Sequence, residues 1–247
     1  MPSSIAVGDV NGDTFADLVV TNSGSLSVSV LLGSASGIFG TATNIPTLTG
    51  AGRVPTSVVV RDLNGDSFLD LVTTNANSDN ISLLLANGSG SFNAATSVPA
   101  GNYPYGIAIG DLNGDTRPDI AVADNIDGNV RVLLNNGSGV FNAMAPFATG
   151  AGAASVAMGD LNNDTFVDLA VANYFGDTVS VLTGNGTGAF VSMVDYFSED
   201  ASFVAIGMFG SDAFPDLAYA NEGTDNVSVR LNSNAAPAPI IFRDGFE

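Results

Sequence analysis

The acidic segment GDLNGDTRPDIAVAD at residues 110–124 recurs along the chain, and this recurrence constrains the fold more than any other feature. Related segments begin at Gly8, Arg61 and Gly159, and an altered copy, GMFGSDAFPDLAYAN, begins at Gly207. The first Asp falls at positions 9, 62, 111 and 160, so the spacing is about 49 to 53 residues. A period of this length is typical of a solenoid, an array or a β-propeller.

Each repeat contains short β-rich runs and shows no helical periodicity. In the second repeat, Thr56–Val60 and Leu69–Thr73 flank the acidic segment, and Ile81–Leu85 follows a polar turn. A Gly-rich turn, NGSGSF, then leads to a weaker fourth run at Ala95–Pro99. Four short strands in about fifty residues predict an all-β chain of four-stranded antiparallel propeller blades.

Composition excludes several classes of function. The 247 residues are 45% hydrophobic, which is enough for a sizeable core. The net charge of −19, with no Lys, disfavours nucleic acid and anionic membranes as partners. The absence of Cys and His excludes disulfides, thiol nucleophiles, imidazole bases and the usual zinc ligands. No apolar run approaches the ~18–20 residues of a membrane span, so we expect no membrane insertion.

The repeated unit resembles a known family. Gly-Asp-x-Asn-Gly/Asn-Asp-x-x-x-Asp-Leu, followed by a strand and then by a Gly-Ser-Gly-x-Phe turn, is similar to the FG-GAP/VCBS repeat, which is related to the integrin α-chain propeller. The resemblance covers about residues 5–232. It implies a β-propeller in which the acidic loop joins the first two strands of a blade and holds calcium. The family's Gly after the third ligand is replaced by Thr14, Ser67, Thr116 and Thr165, which are strained if that position requires a positive φ.

The spacing of oxygen donors favours calcium without that resemblance. Asp, Asn and Asp at alternating positions, a backbone carbonyl at the seventh and Asp at the ninth suit a hard cation with six to eight oxygen sites. Two carboxylates ~4 Å apart repel by roughly 4 kcal/mol at an effective dielectric near 20, which disfavours such a cluster without a cation. The alternative is that Asp and Asn here merely stabilise hairpin turns by bonding local backbone amides. An EF-hand is excluded because position twelve lies in a strand.

Four calcium sites of one kind are therefore predicted, and together they would bring the net charge of −19 to about −11. Arg117 contributes only its carbonyl, and the altered fifth copy keeps Asp212 and Asp216 but has Met208 and Gly210 at the first two ligand positions, which predicts a weak or lost site. The predicted ligands are Asp9, Asn11, Asp13, Phe15 and Asp17; Asp62, Asn64, Asp66, Phe68 and Asp70; Asp111, Asn113, Asp115, Arg117 and Asp119; and Asp160, Asn162, Asp164, Phe166 and Asp168.

Five repeats predict five blades within one domain at residues 1–234. The repeats lie at about residues 5–49, 56–100, 105–149, 154–200 and 202–232, and the alternative is that they form part of a seven-bladed propeller. Residues 235–247 form a Pro/Ala-rich linker and a C-terminal segment. Within it, Ile240–Phe242 is either the missing fourth strand of the last blade or an extended tail.

The resemblance implies that the remaining loops share the face opposite the calcium loops. These are residues 75–80, 100–106, 124–129, 173–178, 197–202 and 221–226. Exposed aromatic side chains there suit sugars or a protein partner, and the candidates are Tyr103, Tyr105, Tyr174 and Phe175. The alternative is that these loops hold ordinary turn residues and that the tyrosines pack between blades.

Three classes of function remain open from the sequence. The first is a calcium-stabilised binding or adhesion module of an extracellular, cell-surface or periplasmic protein, monomeric, with a protein or carbohydrate ligand. The second is a lectin-like propeller, which requires similar pockets between blades. The third is a glycoside hydrolase or lyase that works through Asp195, Glu199 and Asp200. We expect the first and expect no catalysis, because that acidic cluster occurs once and is typical of solvated charge.

Overall fold

The computed structural model describes residues 1–47, 54–232 and, for the backbone alone, 242–244. These residues form 21 β-strands and two single-turn 3₁₀ helices, at Ala76–Ser78 and Tyr174–Gly176. The chain divides into two compact units, Met1–Ile107 with Asn135–Asn142 and Ala108–Leu134 with Ala143–Glu247.

The strands form five antiparallel sheets, each containing four strands in chain order, with β13 as an addition to the third. The fold class is thus confirmed as an all-β propeller with five blades. The blades are β1 (Pro2–Gly8), β2 (Asp17–Asn22), β3 (Ser27–Leu31) and β4 (Thr43–Pro46); β5 (Pro55–Arg61), β6 (Asp70–Asn75), β7 (Asn80–Leu84) and β8 (Thr96–Pro99); β9 (Pro104–Gly110), β10 (Asp119–Asp124), β11 (Asn129–Asn135), β12 (Phe141–Ala143) and β13 (Phe147–Ala148); β14 (Ala153–Gly159), β15 (Asp168–Asn173), β16 (Thr178–Gly184) and β17 (Phe190–Phe197); and β18 (Ala201–Gly207), β19 (Asp216–Asn221), β20 (Asn226–Asn232) and β21 (Phe242–Asp244).

In the second, third and fourth blades the second strand is buried along its whole length. Every residue of β6, β10 and β15 is buried, whereas β4 and β8 are largely exposed. A strand that is covered on both faces needs a continuous run of small and β-branched side chains, and DIAVAD and DLAVAN supply it. In these three blades the acidic hairpin, which lies between the first two strands, is therefore anchored to a completely buried strand.

The hydrophobic core is built from contacts between successive blades. In the first unit Val19 and Val28 pack with Val58 and Leu71 of the next blade. In the second unit one cluster joins the third blade to the fourth, and another, which contains Leu161, joins the fourth to the fifth. Full burial of each such side chain contributes roughly 1.5–3 kcal/mol.

Two glycines before the acidic loops allow close approach of the next blade. A Cβ atom at Gly8 would lie 2.7 Å from Cδ1 of Leu69, and one at Gly159 would lie 3.1 Å from Cγ2 of Ile206. A larger residue there would force the blades apart, since such contacts are shorter than van der Waals separation. This packing explains the Gly of the Gly-Asp pair in the repeat.

A side-chain hydrogen bond joins the second and third strands near the end opposite the acidic loop. Asn173 donates through Nδ2 to Oγ of Ser180 at 2.8 Å, and the same bond joins Asn22 to Ser29, Asn75 to Ser82 and Asn221 to Ser228. The third blade instead pairs Asp124 with Arg131 (Oδ2 to Nε, 3.3 Å). The neutral Asn–Ser hydrogen bond of the other four blades is thus replaced by an ion pair in the third blade.

The last blade obtains its fourth strand from the C-terminal segment. The backbone of β21 pairs antiparallel with β20, with Phe242 opposite Asn232 and Asp244 opposite Arg230. Ile240 and Ile241, which the sequence analysis considered for this strand, lie outside the described residues. The pairing that is described covers only the last three residues of β20.

Candidate functional site

The first Asp of each acidic loop organises the loop backbone. The N–H groups of Gly12 and Asp13 donate to Oδ1 of Asp9 (2.7 and 3.1 Å), and the N–H of Thr14 donates to Oδ2 (2.7 Å). Gly12 and Thr14 both have a positive φ, 78° and 75°. Alternating left-handed residues turn successive N–H groups inward, so the loop forms a cradle around one carboxylate.

The third and fifth positions lie side by side in every intact loop. Asn11 donates through Nδ2 to Oδ2 of Asp13 at 2.9 Å, and its own Oδ1 accepts the N–H of Asp13 at 3.0 Å. The other loops repeat the side-chain contact at 2.9–3.0 Å, from Asn64 to Asp66, Asn113 to Asp115 and Asn162 to Asp164. Two of the predicted ligands are therefore adjacent in each loop.

The residue after this Asp is held in the left-handed region in all four loops. The φ angles are 75° for Thr14, 74° for Ser67, 69° for Thr116 and 76° for Thr165. This conformation points the N–H of each residue at Oδ2 of the first Asp, at 2.7–2.8 Å. For β-branched Thr the conformation is strained, because Cβ crowds the backbone. The strain expected from the replacement of Gly is thus present.

The ninth-position Asp is a buried backbone acceptor, a role that the sequence analysis missed. Asp17 accepts the N–H of Val10 at Oδ2 (2.8 Å) and the N–H of Gly33 at Oδ1 (2.7 Å). Asp70 and Asp168 make the equivalent pairs of bonds at 2.8–2.9 Å. All of these side chains are fully buried. We call this arrangement the aspartate clamp, since it ties the acidic hairpin to the end of the third strand.

The altered fifth copy keeps the aspartate clamp. Oδ2 of Asp216 accepts the N–H groups of Phe209 and Gly210 (both 2.7 Å), and Oδ1 accepts the N–H of Asn232 (2.8 Å). Asp212 is exposed and accepts only the N–H of Phe214, at 3.1 Å, among its bonds described here. The fifth copy keeps Asp216 although the first two ligand positions are lost. This is the signal in the sequence that the ninth-position Asp has a role other than metal binding.

Carboxylate pKa values differ between loops according to their neighbours. Burial raises the pKa of Asp168 to about 6, and the charges of Asp164 and Asp160 add to this, against the N–H bonds from Gly184 and Leu161. Burial likewise raises the pKa of Asp70, and the charges of Asp66 and Asp62 add to this, against the N–H bonds from Ala86 and Leu63. In the third loop burial is the largest single influence on Asp115 and acts to raise its pKa. The N–H of Arg117, the amide of Asn113 and the Arg117 guanidinium, which lies 2.6 Å away, together outweigh it, so this pKa is lowered.

The donor chemistry of the loops suits a hard cation at the first, third and fifth positions, which offer two carboxylates and an amide oxygen. At the ninth position, Asp17, Asp70 and Asp168 each accept two backbone N–H groups and Asp119 accepts the N–H of Leu112, and all four side chains are completely buried. In the described part of the chain no group of three or more Asp, Glu, His or Cys side chains is arranged to hold a metal ion. The three early positions thus fit calcium by donor type, and the calcium sites stay a prediction.

The aromatic residues of the predicted ligand face lie in two pairs, one in each unit. In the first unit the rings of Tyr103 and Tyr105 stack 6.5 Å apart, and Tyr105 is 43% exposed. In the second unit Tyr174 and Phe175 meet edge to face at 5.1 Å, and Phe175 is 69% exposed. The charge of Glu222, with burial and the charge of Asp200, raises the pKa of Tyr174.

The acidic cluster considered for catalysis lies at the end of the fourth blade. Asp195 is on β17 and accepts the hydroxyl of Ser180 at 2.6 Å. Asp200 donates its backbone N–H to Oδ1 of Asp177 at 3.2 Å, and Glu199 is exposed in the turn after β17.

Within residues 1–47 and 54–232 no helix has the length and hydrophobicity needed to cross a bilayer.

A family model described as "FG-GAP-like repeat" matches the chain three times, at residues 9–73, 62–122 and 111–171. Each match begins at the first Asp of one acidic hairpin and ends in the strand that follows the next acidic hairpin. No curated protein sequence matches significantly.

Solved structures share the fold at low sequence identity. A protein from Lactobacillus plantarum matches with a TM-score of 0.70 and 16% identity, over 98% of this chain and 70% of that protein. A lectin from Agrocybe aegerita, described as recognising non-reducing terminal N-acetylglucosamine, matches with a TM-score of 0.59 and 20% identity, over 96% of this chain and 65% of the lectin. A rhamnogalacturonan lyase from Bacillus licheniformis matches with a TM-score of 0.55 and 14% identity, over 98% of this chain and 49% of the lyase.

Proposed function

Because the chain belongs to the FG-GAP-like repeat family, we propose that it is a calcium-stabilised binding module that recognises its ligand through the loops opposite the acidic hairpins. The observation that carries the proposal is the acidic hairpin, copied four times with the same donor types at the same spacing. A fifth copy has lost the donors at the first two positions but keeps Asp212 and the clamp residue Asp216. Loss of the first two ligand positions without loss of the clamp is expected if those positions bind an ion and the clamp does not depend on it.

Calcium would be held by the first, third and fifth positions of each intact loop and by a backbone carbonyl, with the ninth Asp as a neighbour. Asp9, Asn11 and Asp13 are the side-chain donors of the first site. The ion would supply positive charge to a hairpin that otherwise concentrates negative charge in nine residues. Only the third loop has a cationic side chain paired within it among the described ion pairs, Arg117 with Asp115.

The expected gain in stability is large relative to a domain's margin. With a dissociation constant of roughly 0.1 mM and calcium at about 1 mM, one site contributes about 1.4 kcal/mol. Four such sites approach the ~5–15 kcal/mol by which typical domains are stable. Calcium at this concentration is an extracellular condition, so we place the protein outside the cytoplasm or on a cell surface.

The test of the metal is thermal unfolding in calcium and in a chelator, with calcium content measured by atomic emission. We expect about four ions per chain and a clearly higher midpoint in calcium. Asp13→Asn should remove one ion and lower the midpoint in calcium more than in chelator. Asp212→Asn, in the altered copy, is the matched control and should keep four ions. An unchanged midpoint after verified removal of calcium would contradict the proposal.

The ligand is proposed to be a carbohydrate or a protein surface. The aromatic pairs Tyr103–Tyr105 and Tyr174–Phe175 are partly exposed, and such rings stack against sugars and serve as contacts at protein interfaces. The fold shared with a lectin supports the carbohydrate alternative. A glycan array in calcium separates the two, because folded protein that binds no glycan would favour a protein partner.

We assign no catalysis to Asp195, Glu199 and Asp200. Asp195 is engaged by Ser180, and the exposed Glu199 is solvated. The fold shared with a lyase is the reason to test this point. Incubation with pectic and other polysaccharides should release no new reducing or unsaturated ends. Cleavage that is lost in Glu199→Ala would establish the enzyme alternative instead.

A further inference from the structure

A polar cavity of about 150 Å³ lies between the end of the fourth blade and the fifth blade, within the second unit. Its lining includes Phe197, Ser198 and Glu199 from the end of β17 and the following turn. From β19 and β20 it includes Tyr219, Asn221 and Arg230. All of these residues except Arg230 belong to, or adjoin, the 197–202 and 221–226 loops of the proposed ligand face, and Arg230 reaches the first of these loops through its bond to the carbonyl of Phe197.

The fifth blade places polar side chains where the other blades have mostly apolar ones. Tyr219 lies opposite Ser228 in the register. The equivalent residues of blades one to four are Val20, Thr73, Val122 and Val171, which lie opposite a Ser except in the third blade, where the partner is Arg131. The position of Arg230 is occupied there by Leu31, Leu84, Leu133 and Leu182. A buried tyrosine and an arginine at two core positions are a local exception to the packing of the repeat. Such exceptions are expected at functional sites.

Contacts between these two residues hold the polar wall in place. Arg230 donates through Nε to Oη of Tyr219 (2.7 Å) and through Nη2 to the carbonyl of Phe197 (3.0 Å), and its guanidinium lies 5.6 Å from the ring of Tyr196. Tyr219 is only 3% exposed. The wall is therefore preorganised, which lowers the entropic cost of binding.

Two buried polar atoms of the cavity lining lack a partner within the protein. They are Oδ1 of Asn221 and Oγ of Ser198, in side chains that are 5% and 4% exposed. Oδ1 of Asn75 and of Asn173 is also without a partner, but both of those side chains are completely buried. A buried polar atom without a partner costs about 1–3 kcal/mol, so a ligand that bonds to it in the cavity recovers that energy.

The groups of the cavity select a neutral ligand rich in hydroxyls. The amide oxygen of Asn221 and the carboxylate of Glu199 accept hydrogen bonds, and the hydroxyl of Ser198 can donate or accept. Arg230 in the lining disfavours a cation, and Glu199 with the net charge of −19 disfavours an anion. A space of this size accommodates one ring. Resting on the proposed binding function, we infer that this cavity binds a single neutral sugar residue of a glycan.

The test uses the full chain in calcium with free neutral monosaccharides as probes, namely glucose, galactose, mannose and N-acetylglucosamine. Binding is measured by saturation-transfer NMR and titration, with galacturonate and glucosamine as charged comparators. At least one neutral sugar should bind, and both charged comparators should bind more weakly. No neutral sugar binding at about 10 mM, or preference for a charged sugar, overturns the inference.

The decisive variant restores the pattern of the other blades, Tyr219→Val with Arg230→Leu. Because those residues occupy this position in the fourth blade, the variant should fold with a similar midpoint and bind the sugar at least tenfold more weakly. Ser198→Ala is a milder second variant and should also weaken binding, whereas Ser180→Ala in the fourth blade should not. Undiminished binding in the double variant or in Ser198→Ala overturns the inference. The calcium experiment is independent, so a stable calcium-bound protein without sugar binding refutes only this cavity.

Discussion

At the scale of single residues, the acidic loops combine one strained residue with one carboxylate that compensates for it. Thr165 is held at a φ of 76°, and its N–H donates to Oδ2 of Asp160 at 2.8 Å. A left-handed conformation costs a non-Gly residue of order 1–3 kcal/mol and persists only where surrounding contacts enforce it. The hydrogen bond requires the N–H of residue 165 but not its side chain.

Thr165→Gly should therefore stabilise the protein by about 1 kcal/mol, since glycine keeps the N–H and removes the strain. Chemical unfolding in chelator measures the change without any contribution from calcium. The matched control is Thr96→Gly in β8, an exposed strand position without a positive φ, where the substitution should destabilise. Equal destabilisation by both substitutions would show that the left-handed threonine is not strained.

At the scale of elements, the aspartate clamp connects non-adjacent parts of the first, second, fourth and fifth blades. Its carboxylate bonds the backbone just after the first strand and the backbone near the end of the third strand, as Asp70 does with Leu63 and Ala86. These N–H groups lie at the ends of the sheet ladders, where the strands themselves offer no partner. One buried side chain thus links three consecutive strands of a blade.

Asp216→Asn should destabilise the protein by about 2–3 kcal/mol, because the amide places an NH₂ group against backbone N–H groups. The loss should be the same in calcium and in chelator, since the fifth loop lacks the first two ligand positions. Urea unfolding of Asp212→Asn, an exposed neighbour, is the control and should show less than 1 kcal/mol. A loss that depends on calcium would make Asp216 a ligand rather than a clamp.

At the scale of the whole molecule, the charge is the dominant electrostatic feature. The net charge is −19, and twelve of the 25 acidic side chains are the first, fifth and ninth residues of the four intact hairpins. Self-repulsion of this size destabilises a compact state and is reduced by bound cations and by salt. Four bound calcium ions would change the net charge from −19 to about −11.

In chelator, raising NaCl from about 20 to about 300 mM should raise the unfolding midpoint, because salt screens repulsion between exposed carboxylates. In saturating calcium the same change of salt should have a smaller effect. Differential scanning calorimetry measures both, and KCl should act as NaCl does if screening is the cause. A midpoint in chelator that is independent of salt would show that the carboxylates are not a source of instability.

The sequence predicted the repeat, the four-strand blade, the five blades and the family, and these predictions are confirmed. Strand positions were predictable because Asp-rich turns and Gly-rich turns punctuate short β-branched runs at a constant period. The predicted ligand at position nine was described incompletely. Spacing alone cannot show that Asp17 accepts the N–H of Gly33, a bond that spans 16 residues and depends on how the third strand returns.

The fold class and the positions of the acidic hairpins could be predicted from the amino-acid sequence, because both follow from local periodicity and local turn chemistry. The division of the carboxylates into buried clamps and groups near the surface is visible only in the folded chain. The tertiary structure also decided that Tyr219, Asn221 and Ser198 meet in one cavity. The physical reason is that burial and hydrogen bonding depend on neighbours from other strands and from the adjacent blade, and those neighbours are distant in the chain.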